Sequence, residues 1–189
     1  MPSTIGKGIH QYFLVHPLVK TSIDKHLKWL PFAAVFLLDL LKFSTKSGWK
    51  KQLIIAGATE AIRYTIANNL KKLTHERRPA PYTGNHSFPS GHTASSFAGA
   101  HFFHSELGSS LPVVSCTAYL AAATTAAIRL AKNRHWLKDV VAGAIVGIVS
   151  VEMAYFLVNR FNRKKDNPKN RKVDPDAEKE IMLTEAAEG

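Results

Sequence analysis

Apolar residues along this chain gather into blocks separated by short polar or basic stretches, and the blocks set which helices to expect. The sequence shows no strand-period alternation of any length and no internal repeat, so the pattern predicts an all-α fold with about five core helices packed as a membrane-embedded bundle. The first block, residues 29–43 (WLPFAAVFLLDLLKF), is interrupted only by Asp39 and Lys42. It is short for a hydrocarbon core about 30 Å thick, which wants roughly 20 residues. Pro31 suits the first turn of a helix, and Trp29 and Phe43 suit membrane interfaces. Residues 44–51 form a polar turn with a basic end. Block 52–70 reads as a helix with a polar face on which Glu60 and Arg63, three apart, can pair; such a face belongs inside a bundle rather than against lipid. Pro79, Pro81, Gly84 and Pro89 exclude regular helix across 71–91, and helix resumes at about Gly91. There Ala94, Ser95, Ala98 and Gly99 permit close helix contact. After a turn at 108–110 come two candidate membrane spans, 111–128 without a charge and 140–158 with only Glu152. In the second, Gly143 and Gly147 are four apart and offer a close-packing face.

The ends differ from the middle. Residues 1–27 are mixed and basic: residues 9–26 either form an amphipathic helix on a membrane surface, split at Pro17, or are a loosely ordered lead-in. The apolar patch Tyr12 to Val15 is too short for a signal-peptide core, which disfavours a soluble exported protein. Residues 28–159 form the expected domain. Residues 160–172 are basic and 174–188 acidic, a composition expected to stay disordered. By the positive-inside rule the basic tail is cytoplasmic. The last span then runs inward, and counting back puts His135 and the loop 71–91 on the same outer face. The turn with Lys46, Lys50 and Lys51 falls inside. The loop 71–91 is itself basic and breaks the rule, which a functional need for positive charge there would explain.

The formal charge is +11, so the partner should be anionic: nucleic acid, anionic lipid or a phosphorylated metabolite. An aromatic stacking platform is missing, and the basic residues flank apolar spans, which argues against nucleic acid. The mean hydropathy is low for a membrane protein, but the average hides strong unevenness along the chain. The single cysteine, Cys116, lies in an Ala-rich apolar run and is expected to be a small buried hydrophobe.

Two basic clusters carry the chemistry. The first, KKLTHERRPAPYTGNHSFPSGH (71–92), sets Lys71, Lys72, Arg77 and Arg78 ahead of Ser90-Gly91-His92; the second, Arg129 to His135, holds the same place before the last span. Brought together, Lys71, Arg78 and Arg129 would clamp a phosphate ester, since the guanidinium fork donates two hydrogen bonds to phosphate oxygens. The Ser90-Gly91 backbone can add N–H donors at a helix N-terminus. His92 and His135 can supply a nucleophile and an acid. Asp139, four residues after His135, can accept a hydrogen bond from one ring nitrogen and aim the other at phosphorus. Arg134 and Lys132 flank the site as candidates for a second phosphate or a head group. Lys72, Arg77, His75 and His86 are either substrate contacts or solvated loop residues. His101, His104 and Glu106 read as ordinary polar residues near the far end of their helix, and no metal or other cofactor is implied.

These motifs resemble the type 2 phosphatidic acid phosphatase superfamily, which shares its fold with bacterial class A acid phosphatases and vanadium haloperoxidases. Lys-x6-Arg-Pro appears as Lys71, Arg78 and Pro79, then PSGH at 89–92, then Arg129-x5-His135; the resemblance covers about residues 50–158. It implies His135 as nucleophile through a phosphohistidine and His92 as acid and base. The phosphate ligands it implies are Lys71, Arg78, Ser90, Gly91 and Arg129. Ile128 stands where the family usually has Ser. The implied activity is that of an integral-membrane lipid phosphatase, placed in a bacterial inner membrane with the site on the periplasmic face. Phosphatidic acid, phosphatidylglycerol phosphate, an isoprenyl pyrophosphate and lipid A are its candidate substrates. A vanadate-dependent haloperoxidase and a non-catalytic anionic-lipid-binding membrane protein are the alternatives.

Overall fold

A computed structural model describes residues 24–165, and the expectations for residues 1–23 and 166–189 lie outside the described residues. The chain divides into two compact units, Met1–Tyr155 and Phe156–Gly189. The described residues hold no strand. Their helices are α1 (Asp24–Leu27), α2 (Leu30–Leu40), α3 (Trp49–Thr74), α4 (Gly91–Leu107), α5 (Pro112–Ala131) and α6 (Leu137–Lys165). The five longer ones are the core helices that the apolar blocks predict.

Helix ends differ from expectation by a few residues, each for a local reason. α2 stops at Leu40 because Lys42 takes a left-handed φ of 64°. Lys42 N–H then bonds Asp39 O and Phe43 N–H bonds Leu38 O, each at 3.0 Å, a Schellman closure. α3 runs past Lys71 and Lys72 to Thr74, because polar side chains do not end a helix. It ends where His75 turns left-handed (φ 43°) and its N–H bonds Lys71 O. Lys71 and Lys72 thereby stand in a helix's last turn, where cations complement the dipole.

α4 is the central element, packed against α5, α2 and α3. Ala94, Ala98, Ala100, Phe102 and Leu107 on it are wholly buried. Phe102 stacks on Phe32 of α2, ring centres 5.4 Å apart. α6 reaches α4 through the predicted glycine face. A Cβ at Gly143 would lie 2.6 Å from the Ser90 carbonyl oxygen, and one at Gly147 would meet the Ala94 carbonyl closer still. Only bare backbone fits there, and this contact brings the start of α6 beside the start of α4.

The end of α4 away from its N-terminus is also polar and closed. Glu106 is 1% exposed. Its carboxylate accepts from Ser47 N–H at 2.8 Å and from the Tyr155 hydroxyl, and Lys46 N–H bonds its backbone carbonyl. Gln52 of α3 completes the lock by donating to Ser47 O at 2.7 Å. Nearby, His101 bridges the Tyr119 hydroxyl and Glu152 Oε1 at 2.6 Å each, and His104 Nδ1 lies 2.7 Å from Ser115 Oγ. These side chains join α4 to its neighbours. Among the described residues no group of three or more His, Cys, Asp or Glu is arranged to hold a metal ion.

α5 and the segment Leu137–Arg163 of α6 are long and apolar enough to cross a membrane. Large apolar side chains point outward from several helices: Leu37 and Leu40 on α2, Leu53 and Ile54 on α3, Val113 and Leu120 on α5, Val141 and Ile145 on α6. An outward apolar surface of this extent suits lipid rather than water. Cys116 belongs to the same outward surface: it is exposed, against the expectation of burial, because α5 buries one face only and Cys116 lies off it.

Candidate active site

Both basic clusters come to one end of α4. The loop between α3 and α4 is closed on itself, with Arg78 N–H bonding Gly84 O at 3.0 Å and Ser87 N–H bonding Glu76 O at 2.9 Å. Lys71, from the last turn of α3, donates to Pro89 O at 2.5 Å and to His86 O at 3.3 Å, so the first motif holds the loop that carries the second. The third motif is tied in from the other side. Trp136 Nε1–H donates to Arg77 O at 2.8 Å, and Lys138 pairs with Glu76 at 2.9 Å.

His135 lies in the short connection between α5 and α6 and is 4% exposed. Its Nδ1 is 2.9 Å from the Ser87 carbonyl oxygen, which can only accept. Nδ1 therefore carries the proton, and Nε2 keeps its lone pair. The Asp139 carboxylate, the expected partner of the ring, is 3.5 Å from Nδ1. It is occupied elsewhere: Oδ2 accepts from Ser87 Oγ at 2.5 Å and from Trp136 N–H at 2.9 Å. The second bond caps α6, the carboxylate at the third helical position reaching back to the N–H just ahead of the helix. The Asp139 carbonyl takes Ser90 N–H at 2.9 Å and so pins the second motif to α6. Asp139 is wholly buried, and its Oδ1 has no hydrogen-bond partner.

Ser90 is the N-cap of α4. Its hydroxyl accepts from Thr93 Oγ1 at 2.9 Å and from Thr93 N–H at 3.5 Å. With its own N–H given to Asp139, Ser90 does not offer the backbone donor expected of it. The helix N-terminus still presents Gly91 and His92 as its first two residues, at the positive end of the helix dipole. His92 is half-buried in that first turn, and Arg129 is buried in the last turn of α5. Ile128 beside it is half-buried. Arg134 lays its guanidinium on the Tyr82 ring, 3.9 Å from the centroid, which the spacing of motifs did not foretell. Lys72, Arg77, His75 and His86 are exposed, the two imidazoles 6.4 Å apart.

The electrostatics follow from this crowding. Burial, and then the neighbouring Arg78, bring the Lys71 ammonium down to about 8, with Asp139 opposing. Burial and then Arg134 lower Arg78. Burial lowers His135 below the ordinary imidazole value; Asp139 pulls it up, while Arg129 and Arg78 push it down. Lys71 and Arg78 thus share the Asp139 carboxylate, while Arg134 lies near Arg78 and Arg129 near His135, a surplus of positive charge that a dianion would relieve. Ser87 is the member of this site that sequence reasoning missed: it carries no charge, and half of its contribution is a backbone carbonyl.

A family model described as the PAP2 superfamily matches residues 52–163. The chain is similar to a Lipid A 1-phosphatase of Porphyromonas gingivalis, 36% identical over 138 residues. The match covers 72% of this chain and 31% of that protein, so the chain spans about a third of the relative's length. A crystal structure of Aquifex aeolicus LpxE shares the fold with TM-score 0.57 and 21% identity, covering 77% of this chain and 93% of that one.

Proposed function

The chain belongs to the PAP2 superfamily, and on that premise we propose that it is a membrane-embedded, metal-independent phosphatase acting on a phosphate ester of a lipid head group. The observation that carries the reading is the buried His135, its Nδ1–H tied to the Ser87 carbonyl, within the cluster of Lys71, Arg78 and Arg129. Among the candidate lipids the phosphates of lipid A come first, because a relative 36% identical is a Lipid A 1-phosphatase.

The chemistry runs in two steps. Lys71, Arg78, Arg129 and the N–H groups at the start of α4 hold the phosphate oxygens, with Ser90 setting the α4 terminus. His135 Nε2 attacks phosphorus; the bond from phosphorus to the lipid oxygen breaks, and His92 gives that oxygen a proton. The ring, now bonded to phosphorus, is cationic, and Asp139 stabilises it. His92 then takes a proton from water, the water oxygen attacks phosphorus, the nitrogen–phosphorus bond breaks, and inorganic phosphate leaves. The depressed His135 supports the first step, because only a neutral ring has a lone pair to attack with.

The basic run after Arg160 supports a cytoplasmic tail and a site on the opposite face of the membrane. Phosphate release by detergent-purified protein, wild type against His135→Ala, over a panel of lipid phosphates in EDTA tests the whole reading. Release that survives EDTA and vanishes in the variant is the expected result. Release by His135→Ala at the wild-type rate would sink the histidine mechanism, and no release from any lipid would sink the phosphatase.

A further inference from the structure

Ser87 is wholly buried beside the nucleophile and uses two different atoms there. Its carbonyl oxygen takes the proton on His135 Nδ1 at 2.9 Å. Its hydroxyl has one proton to give and two acceptors in view: Asp139 Oδ2 at 2.5 Å and His135 Nδ1 at 3.5 Å. Since Nδ1 is already protonated, the hydroxyl goes to the carboxylate. The Trp136 N–H holds the same oxygen from the other side at 2.9 Å. The carboxylate is thereby kept at a long contact of 3.5 Å from the imidazole, its short bonds going to Ser87 and Trp136.

That separation has a chemical consequence. A carboxylate drawn closer to the ring would favour imidazolium more strongly, and imidazolium has no lone pair on Nε2 with which to attack phosphorus. We propose that Ser87 is a positioning residue for the nucleophile: its carbonyl fixes the reactive tautomer, and its hydroxyl holds Asp139 back until the ring becomes cationic. This rests on the phosphohistidine reading above. The charged groups around the imidazole are Asp139 on α6, Arg129 on α5 and Arg78 in the loop; α3 brings Lys71 and α4 brings His92 to the same site. Of these, only the position of the Asp139 carboxylate depends on the Ser87 hydroxyl.

The test uses Ser87→Ala, which keeps the carbonyl and removes the hydroxyl, and Ser87→Thr, which restores it. Nitrogen-15 histidine NMR of the full chain in detergent, with the His135 signals assigned by their loss in His135→Gln, reads tautomer and titration midpoint without reference to activity. The wild type should show the Nδ1–H tautomer. Ser87→Ala should raise the midpoint by about one pH unit as the freed carboxylate closes on Nδ1, and Ser87→Thr should bring it back. In turnover, Ser87→Ala should lower kcat roughly ten- to a hundredfold at unchanged KM and shift the acid limb of the rate profile upward. If Ser87→Ala does not fold, Ser87→Cys, of similar volume and a weak donor, takes its place. A midpoint that stays put or falls in the alanine variant, or a threonine variant no different from it, overturns the proposal. A wild type that releases no phosphate overturns the phosphatase reading instead, and the midpoints still judge Ser87.

Discussion

On the proposed mechanism, Lys71 and His135 bound the pH range in which the free site is ready, and both are moved by burial. His135 must be neutral to attack, and its value is depressed, so the acid limb of kcat/KM should lie below the ordinary imidazole value of about 6.5. In the proposed role of Lys71 its ammonium must be charged to hold phosphate, and burial brings it down to about 8. Hence kcat/KM should fall as pH rises through that value, and Lys71→Arg, which stays charged, should move the alkaline limb upward. Initial rates at low substrate concentration across the pH range read both limbs. Arg78→Lys keeps the charge but loses the planar fork; it should cost roughly tenfold in kcat/KM, mostly through KM. The grouping of Lys71, Arg78, Arg129 and His135 was legible because three spaced motifs in order resemble those of one family; basic residues at the ends of apolar helices are by themselves commonplace. The engagement of Asp139 with Ser87 was not. It depends on a loop folding back onto α6, and a serine between His86 and Phe88 looks like any turn residue until that happens.

The five long helices were legible from apolar blocks, while their ends were settled by backbone geometry that polarity does not report, as Lys42 and His75 show. The pairing of small residues on α4 with Gly143 and Gly147 on α6 was readable as two separate faces, though not that they meet each other beside the site. Two substitutions separate that contact from ordinary helix propensity. Gly143→Ala puts a methyl 2.6 Å from the Ser90 carbonyl; it should force α6 away from α4 and destabilise by about 1–3 kcal/mol. The same shift moves Ser90 against Asp139, so activity should fall along with stability. Gly57 on α3 has open space where a Cβ would go, and Gly57→Ala should be neutral or stabilising by up to about 1 kcal/mol. Thermal unfolding of both variants in one detergent compares them directly; equal losses would mean that the α4–α6 approach is not tight.

At the scale of the described bundle, α4 is fastened to its neighbours at both of its ends. Glu106→Ala would strand the Ser47 N–H and the Tyr155 hydroxyl in the interior, at a cost of about 1–3 kcal/mol for each group left unpaired. Glu106 stands about 22 Å along α4 from Gly91, at 1.5 Å of rise per residue. The variant should therefore unfold at lower temperature while the protein that remains folded keeps its KM. This lock was not foreseen, because a glutamate near a helix end is usually solvated and only the fold shows the turn closing over it. With one fastening at Ser90 and the other at Glu106, the distance between the two is set by the length of one helix, α4. A helix held at both ends cannot stretch or compress to follow surrounding lipid. Hydrophobic mismatch must instead be taken up by tilt or by deformation of the bilayer, at fractions of a kcal/mol per Å. Turnover in vesicles of graded acyl-chain length should then pass through a maximum, and membrane thickness becomes a condition of the reaction in the way that pH is.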